Sequence, residues 1–402
     1  MERRSPSPTP IAGAGALAFS GSLWRGAAHA VPARPDPAPP YGPLRPADAH
    51  GIALPAGFTS RIVARSRQTV TGTAFTWHDA PDGGACFADG TGWIYVSNSE
   101  VGSGGGGASA LRFGPAGTVT SAYPILAGTS RNCAGGATPW STWLSCEETA
   151  TGHVWETSPW GVPAVRREAM GRFNHEAAAA DPVRGAVYLT EDEPDGGFYR
   201  FVPAVWGDLS AGTLQVLKAG AATSGPVPCG GTTPHAPRNE PFTWGTVPDP
   251  GGSPVPTRRQ VPGMKVFDGG EGCHYAGDTV WFTTKGDGRV WRVDLLGGTY
   301  GLAYADDLRV PGPGALTGAE AMTGCAAGDL YVAEDGGAME IRVITPDGGI
   351  SVFLRVDGQS GSELCGPAFN PAGDRMYFSS QRGTSGSSSG GITYEVRGPF
   401  RR

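Results

Sequence analysis

Residues 132–148 read NCAGGATPWSTWLSCEE and place two thiols, Cys133 and Cys146, and two carboxylates, Glu147 and Glu148, in one short stretch. Gly135 and Gly136 follow Cys133 closely, so the backbone can turn tightly and leave the sulfur open to an ion. A thiolate is a strong donor to transition metals, and a nearby cation favours its deprotonation. Taken alone, Cys133 reads as readily as a buried apolar cysteine or as half of a disulfide with Cys146. Glu147 and Glu148 close a strand-like run, where alternate side chains face opposite ways, so only one of them faces a common site.

Related chemistry recurs along the chain. Six segments read apolar, aromatic, apolar, small polar, then charged or polar: WIYVSNSE, TWLSCEE, AVYLTEDE, TVWFTTKGDG, DLYVAEDGG and RMYFSSQRG. Ten to fourteen residues ahead of their aromatics stand Asp82, Cys133, Glu176, Glu271, Glu320 and Glu363. GRFNHE sets Arg172 and His175 beside Glu176. That arginine can grip an oxyanion bidentately or pair with an acid. His175 faces away from its neighbour and reads as structural. The acidic pairs in EDEPDGG (191–197) and EDGG (334–337) suit calcium, or are acidic turns. Whether Glu320 or Glu334 joins the carboxylate set is open on spacing alone. Lys285, Arg289 and Arg382 are cations at strand ends that clamp a phosphate or offset acids. The chain has no G-x-S-x-G elbow, phosphate loop, H-E-x-x-H or dinucleotide fingerprint.

The elements that must position these groups are short strands. The aromatics Tyr95, Trp143, Tyr188, Trp281, Tyr331 and Tyr377 recur at intervals of about 45–50 residues, with one interval about twice as long, which is the spacing of propeller blades. The fold expected is all-β, a six-bladed β-propeller with a proline-rich insertion loop after the third blade. First strands line a propeller's channel, so the six repeated residues become a ring. Carboxylates in a narrow channel repel unless bound cations separate them.

The 402 residues include 65 Gly and 36 Pro, which fits many tight turns, and the net charge of -6 with no basic cluster excludes nucleic acid and acidic membrane surfaces as partners. Arg3 and Arg4 precede a weakly hydrophobic run ending at AHA (28–30). Residues 1–30 therefore read as a twin-arginine export signal, too short and Gly-rich for a stable membrane span. Residues 31–50 read as a proline-rich linker and 51–402 as the propeller domain. Seven cysteines leave at least one unpaired in a monomer, the expected state.

The motifs NCAGGATPWSTWLSCEE, GRFNHEAA, GEGCHY with VWFTTKGDGRVW, and GPAFNP with MYFSSQRG resemble the PhoX family of exported alkaline phosphatases, from about Leu54 to Phe400. The resemblance implies a six-bladed propeller exported through the twin-arginine translocation machinery to the periplasm or exterior. It also implies Fe3+ and Ca2+ in the channel and hydrolysis of phosphate monoesters. Carried over, the metal ligands are Cys133, Glu148, Glu176, Glu271, Asp335 and Glu363, and Glu148 rather than Glu147 is the one facing the ring. The family's phosphate-binding arginine falls on Gly269, a departure that leaves Lys285, Arg289 or Arg382 to act on the substrate. A calcium-dependent hydrolase of lactones or other esters, and a non-catalytic calcium-stabilised binding module, are the alternatives.

Overall fold

The computed structural model describes residues 39–161, 163–220, 239–305, 316 and 318–402. Its regular structure is strand, apart from single 3-10 turns. Two-residue Gly turns set some of the hairpins. Gly90, at φ 59°, and Thr91 join Pro81–Asp89 to Gly92–Ser99, with Asp89 paired to Gly92. A glycine with positive φ at the first turn position matches the twist of the strands it joins.

The strands form five antiparallel sheets, not six separate ones. Two are four-stranded and consecutive, starting at Pro81–Asp89 and Asn132–Ala137. The next is nine-stranded. It holds one fourfold meander, His175–Asp181 to Asp208–Ala219, and another, Gly270–Ala276 to Thr299–Ala305. Glu240–Thr246 joins them, pairing along Asp208–Ala219 and, through Glu240 and Pro241, with Tyr300 and Thr299. The expected insertion loop is therefore partly strand, and that strand fuses two units otherwise built like the rest. Proline density hid it, because Pro241 sits at the start of an edge pairing, where proline is tolerated. The fourth sheet runs Ala319–Gly324 to Ile350–Val356 and adds Ile52–Ala53. The last closes Leu364–Phe369, Arg375–Ser380 and Ile392–Arg397 with the early strand Thr59–Arg65.

The strands Pro81–Asp89, Asn132–Ala137, His175–Asp181, Gly270–Ala276, Ala319–Gly324 and Leu364–Phe369 contact one another in cyclic order, the last meeting the first. They form a closed inner ring. The second-strand aromatics pack outside it. Tyr95, Trp143, Tyr188, Tyr331 and Tyr377 are fully buried, and Tyr95 stacks on Tyr377 across neighbouring sheets at 4.9 Å. Each such ring buries ~150–250 Å2 and dominates the local packing energy. Trp281 is only half-buried.

The export signal and the first residues of the linker lie outside the described residues. The linker's end does not hang free: Tyr41 packs edge-on against Phe58, Phe353 and Phe400, and its hydroxyl lies 2.5 Å from that of Tyr331. Proline content concealed one aromatic anchor. No described helix is long and apolar enough to cross a membrane.

Candidate metal centre

One irregularity places the site. In each inner strand the pairing with the second strand slips by one residue near its start. The slips fall between Pro81 and Gly84, Asn132 and Gly135, His175 and Ala178, Gly270 and Cys273, Ala319 and Met322, and Cys365 and Ala368. A bulge of this kind re-aims a side chain without ending the strand. In five strands the first residue inside the slip is Asp82, Cys133, Glu176, Glu271 or Glu320. In the sixth it is Gly366, at φ 58°, and Glu363 reaches the ring from just ahead of the strand.

The residue after each bulged donor is small, and the ring requires it. A Cβ on Gly83 would lie 2.5 Å from Ala134 Cα, and one on Gly272 2.5 Å from Met322 N. The inner strands thus meet backbone to backbone. Hydroxyls and amides of neighbouring second strands then grip the donors' own carbonyls. Asn98 Nδ2 donates to Cys133 O at 3.1 Å, Thr190 Oγ1 to Glu271 O at 2.6 Å, and Thr283 Oγ1 to Glu320 O at 2.6 Å.

A second tier comes from the residue directly after each second strand: Glu100, Glu148, Asp192, Lys285, Asp335 and Gln381. The two tiers interlock into overlapping triads whose donor atoms lie within 4.8 Å of one another. These are Asp82–Glu100–Cys133, Cys133–Glu148–Glu176, Glu176–Glu271–Glu320, Glu320–Asp335–Glu363 and Asp82–Glu363–Cys365. All six expected donors, Cys133, Glu148, Glu176, Glu271, Asp335 and Glu363, fall in this set. Asp82 and Glu320 join them from the repeat, and Glu100 and Cys365 are additions. Glu100 was legible, because it follows WIYVSNS as Glu148 follows WLSCE. Cys365 carries no such signal.

The remaining candidates sort by their partners. Glu147 Oε1 accepts from Ser130 N–H at 3.0 Å and its Oε2 from His153 N–H, so it braces a turn. Glu334 pairs with Arg342 at 2.9 Å, so Glu320 takes the ring. Cys133 and Cys146 are both free thiols, which removes the disulfide. His175 Nε2 lies 3.0 Å from Gly171 O and its ring stacks on Phe173. In EDEPDGG, arginine meets three of the acids. Arg258 meets Glu191 at 3.0 Å, Glu193 at 3.5 Å and Asp195 at 2.7 Å, and Arg259 also holds Asp195.

Of the three cations, Lys285 Nζ lies 2.6 Å from Glu271 Oε1 and 3.2 Å from Asp192 Oδ2, and Arg382 lies 3.0 Å from Glu363. Both side chains remain about one-third exposed. Arg289 has Asp287 at 3.0 Å and Trp291 beneath it, contacts on its own hairpin. Gly269 has φ 70°, and a Cβ there would lie 3.0 Å from Asp192 Oδ1 and 3.7 Å from Lys285 Cβ.

Electrostatics single out the centre. Neither carboxylate oxygen of Glu176 has a hydrogen-bond partner among the described residues, and the side chain is 1% exposed. Burial, then the charges of Glu271 and Glu148, push its pKa well above the usual range. Burial, with Glu320 next, does the same to Glu271. Burial and a hydrogen bond with Asp192 push Glu148 to about 10, and burial with Glu320 pushes Glu363 to about 11. Burial, then Asp82 and Glu176, raise the Cys133 thiol. An unpartnered buried carboxylate costs several kcal/mol (about 1–3 even after relaxation) unless a cation or proton meets it. Oxygen donors with one or two thiols fit a mixed set of hard and softer cations.

A closed ring of strands presenting inward acids defines a propeller-like all-β protein with a candidate metal centre in its ring. The family description that matches this chain is "Alkaline phosphatase PhoX", over residues 88–158 and 151–285. The chain belongs to the PhoX family, and it is by that membership an enzyme of the phosphoric monoester hydrolase class. Its fold is shared with PhoX of Pseudomonas fluorescens, solved with vanadate, a transition state analogue. That match has a TM-score of 0.71 at 16% identity and covers 88% of this chain and 97% of that one. A gluconolactonase of Xanthomonas campestris is more distant, at TM-score 0.51 and 14% identity over 90% of this chain and 99% of that one. No curated protein matches by sequence.

Proposed function

We propose that this phosphatase hydrolyses phosphate monoesters at a calcium and iron centre held by the two tiers of acids and Cys133, in a six-bladed propeller whose third and fourth blades share the bridging strand Glu240–Thr246. The observation that carries the reading is Glu176. A buried carboxylate with no hydrogen-bond partner among the described residues, facing Glu148, Glu271, Glu320 and Cys133, is a donor set arranged for cations.

Cys133, Glu148 and Glu176 form the triad suited to iron, since it alone unites a thiol with that carboxylate. Glu176–Glu271–Glu320 and Glu320–Asp335–Glu363 are all-oxygen and suit calcium. Bound there, the cations would neutralise phosphoryl oxygens and favour a deprotonated nucleophile. Lys285 and Arg382 bring exposed positive charge to the rim of the same acids, where they orient the substrate's non-bridging oxygens. Lys285 also supplies a cation beside Gly269, where the family's arginine is absent. Arg289, held on its own hairpin, is left out of this role. The export signal accords with a chain loaded with metal before twin-arginine transport, and the expected product is an exported monomer.

The test is hydrolysis of 4-nitrophenyl phosphate by metal-loaded protein, with elemental analysis of the same sample. Activity lost on chelation and restored by calcium, with iron bound, is the expected outcome. Lactone hydrolysis without phosphate release would reject the reading.

A further inference from the structure

A cavity of about 580 Å3 is lined by Thr151, His153, Arg166, Glu168, Arg172 and Gly251. Its walls come from the turn after Trp143–Glu147 and from the segment entering His175–Asp181. The same two stretches of chain also carry Glu148 and Glu176.

The charges in it do not balance. Arg166 pairs with Glu168. Arg172 is half-buried, and its guanidinium has no hydrogen-bond or ion-pair partner among the described residues. Only its backbone N–H is engaged, donating to Pro250 O at 2.9 Å. Of the two readings of Arg172, pairing with an acid is not seen among the described residues. Burial first, then Arg166 and Arg172 against the opposing Glu147 and Glu168, depress the pKa of His153. A half-buried guanidinium without a counter-ion, facing an open cavity, is a bidentate donor set with nothing to hold.

We propose that this cavity binds an oxyanion, a phosphoryl or carboxylate group, on Arg172. The oxyanion is either a second acidic group carried by the leaving group of the substrate or free inorganic phosphate. In the first case the inference rests on the phosphatase reading and narrows the substrates to phosphate monoesters with a second negative charge.

The metal-loaded full chain is compared with Arg172→Gln and Arg172→Lys. Inorganic phosphate is titrated calorimetrically into each, and kcat/KM is measured for phenyl phosphate and for its ring-carboxylated analogue. Loss of a charged hydrogen-bond pair corresponds to roughly a tenfold effect. If the leaving group is the source, the carboxylated-to-plain ratio falls about tenfold in Arg172→Gln and partly recovers in Arg172→Lys. If free phosphate is the source, the ratio holds and one class of phosphate binding weakens about tenfold. If neither the ratio nor phosphate binding moves, the proposal is overturned. Failure of the phosphatase reading shows separately, as wild-type protein without chelator-sensitive hydrolysis, and calorimetry then decides alone. Should Arg172→Gln not fold, wild type against Arg172→Lys decides, and no change in either the ratio or phosphate binding overturns the proposal.

Discussion

Glu176 concentrates the conflict between stability and function at one carboxylate. Both its oxygens are buried without hydrogen-bond partners among the described residues, and four other carboxyls, Glu271, Glu148, Glu320 and Asp82, act on it. Glu176→Gln keeps the shape and removes the charge. It is expected to lower chelator-sensitive phosphatase activity by at least about a hundredfold, the scale of losing an electrostatic element of catalysis. In chelator the same variant should be more stable than wild type, by about 1–3 kcal/mol, because the penalty of burying an unmet charge disappears. Activity assays and urea melts in chelator check both halves. Equal stability of the two proteins would argue that Glu176 is met by something other than a cation. Cys133→Ser leaves an oxygen in place of sulfur, and iron content by elemental analysis should fall while calcium is retained.

The inner strands are where local sequence becomes geometry. A one-residue bulge turns each donor inward, and the small residue behind it lets the next strand approach. A Cβ on Gly136 would lie 2.0 Å from Ala178 O, a backbone atom that cannot swing aside. Gly136→Ala should therefore destabilise by about 1–3 kcal/mol or more, measured by chemical denaturation. The sixth strand shows why spacing alone located Glu363 poorly. Its bulge falls at Gly366, so the donor comes from a different register. The insertion also acts as an element. Arg258 crosses to Glu191, Glu193 and Asp195, and the loop it holds carries Asp192 into the second tier.

Across the molecule the acids set how stability depends on pH. Glu148 titrates at about 10 and Glu363 at about 11 in the folded chain, against an ordinary value of 4.5. Between pH 4.5 and 10 the folded chain therefore holds protons that the unfolded chain has released. Stability in chelator must fall as pH rises through that window. Bound cations reverse the sign, because they favour the ionised acids, and metal-loaded protein should lose stability as pH falls. Thermal melts at pH 5 and pH 9, with chelator and with calcium, are expected to show opposite trends, each of several degrees (~4 °C per kcal/mol or less for a chain this long). Parallel trends in the two series would contradict a cation centre.

The sequence by itself determined the strand repeat, the recurrence of Asp82, Cys133, Glu176, Glu271 and Glu363 ahead of its aromatics with Glu320 and Glu334 as alternatives, and the family, because periodic burial and donor type are local properties of a chain. Pairing partners are not. Only the tertiary structure decided that Glu240–Thr246 would fuse two meanders into one sheet, and that Arg342 and Arg258 would claim Glu334 and Glu191. It also decided that Cys365 and Glu100 would reach the centre and that Arg172 would be left alone in its cavity. Each of these depends on distances between residues far apart in the chain, and a carboxylate's role is set by which charge arrives beside it.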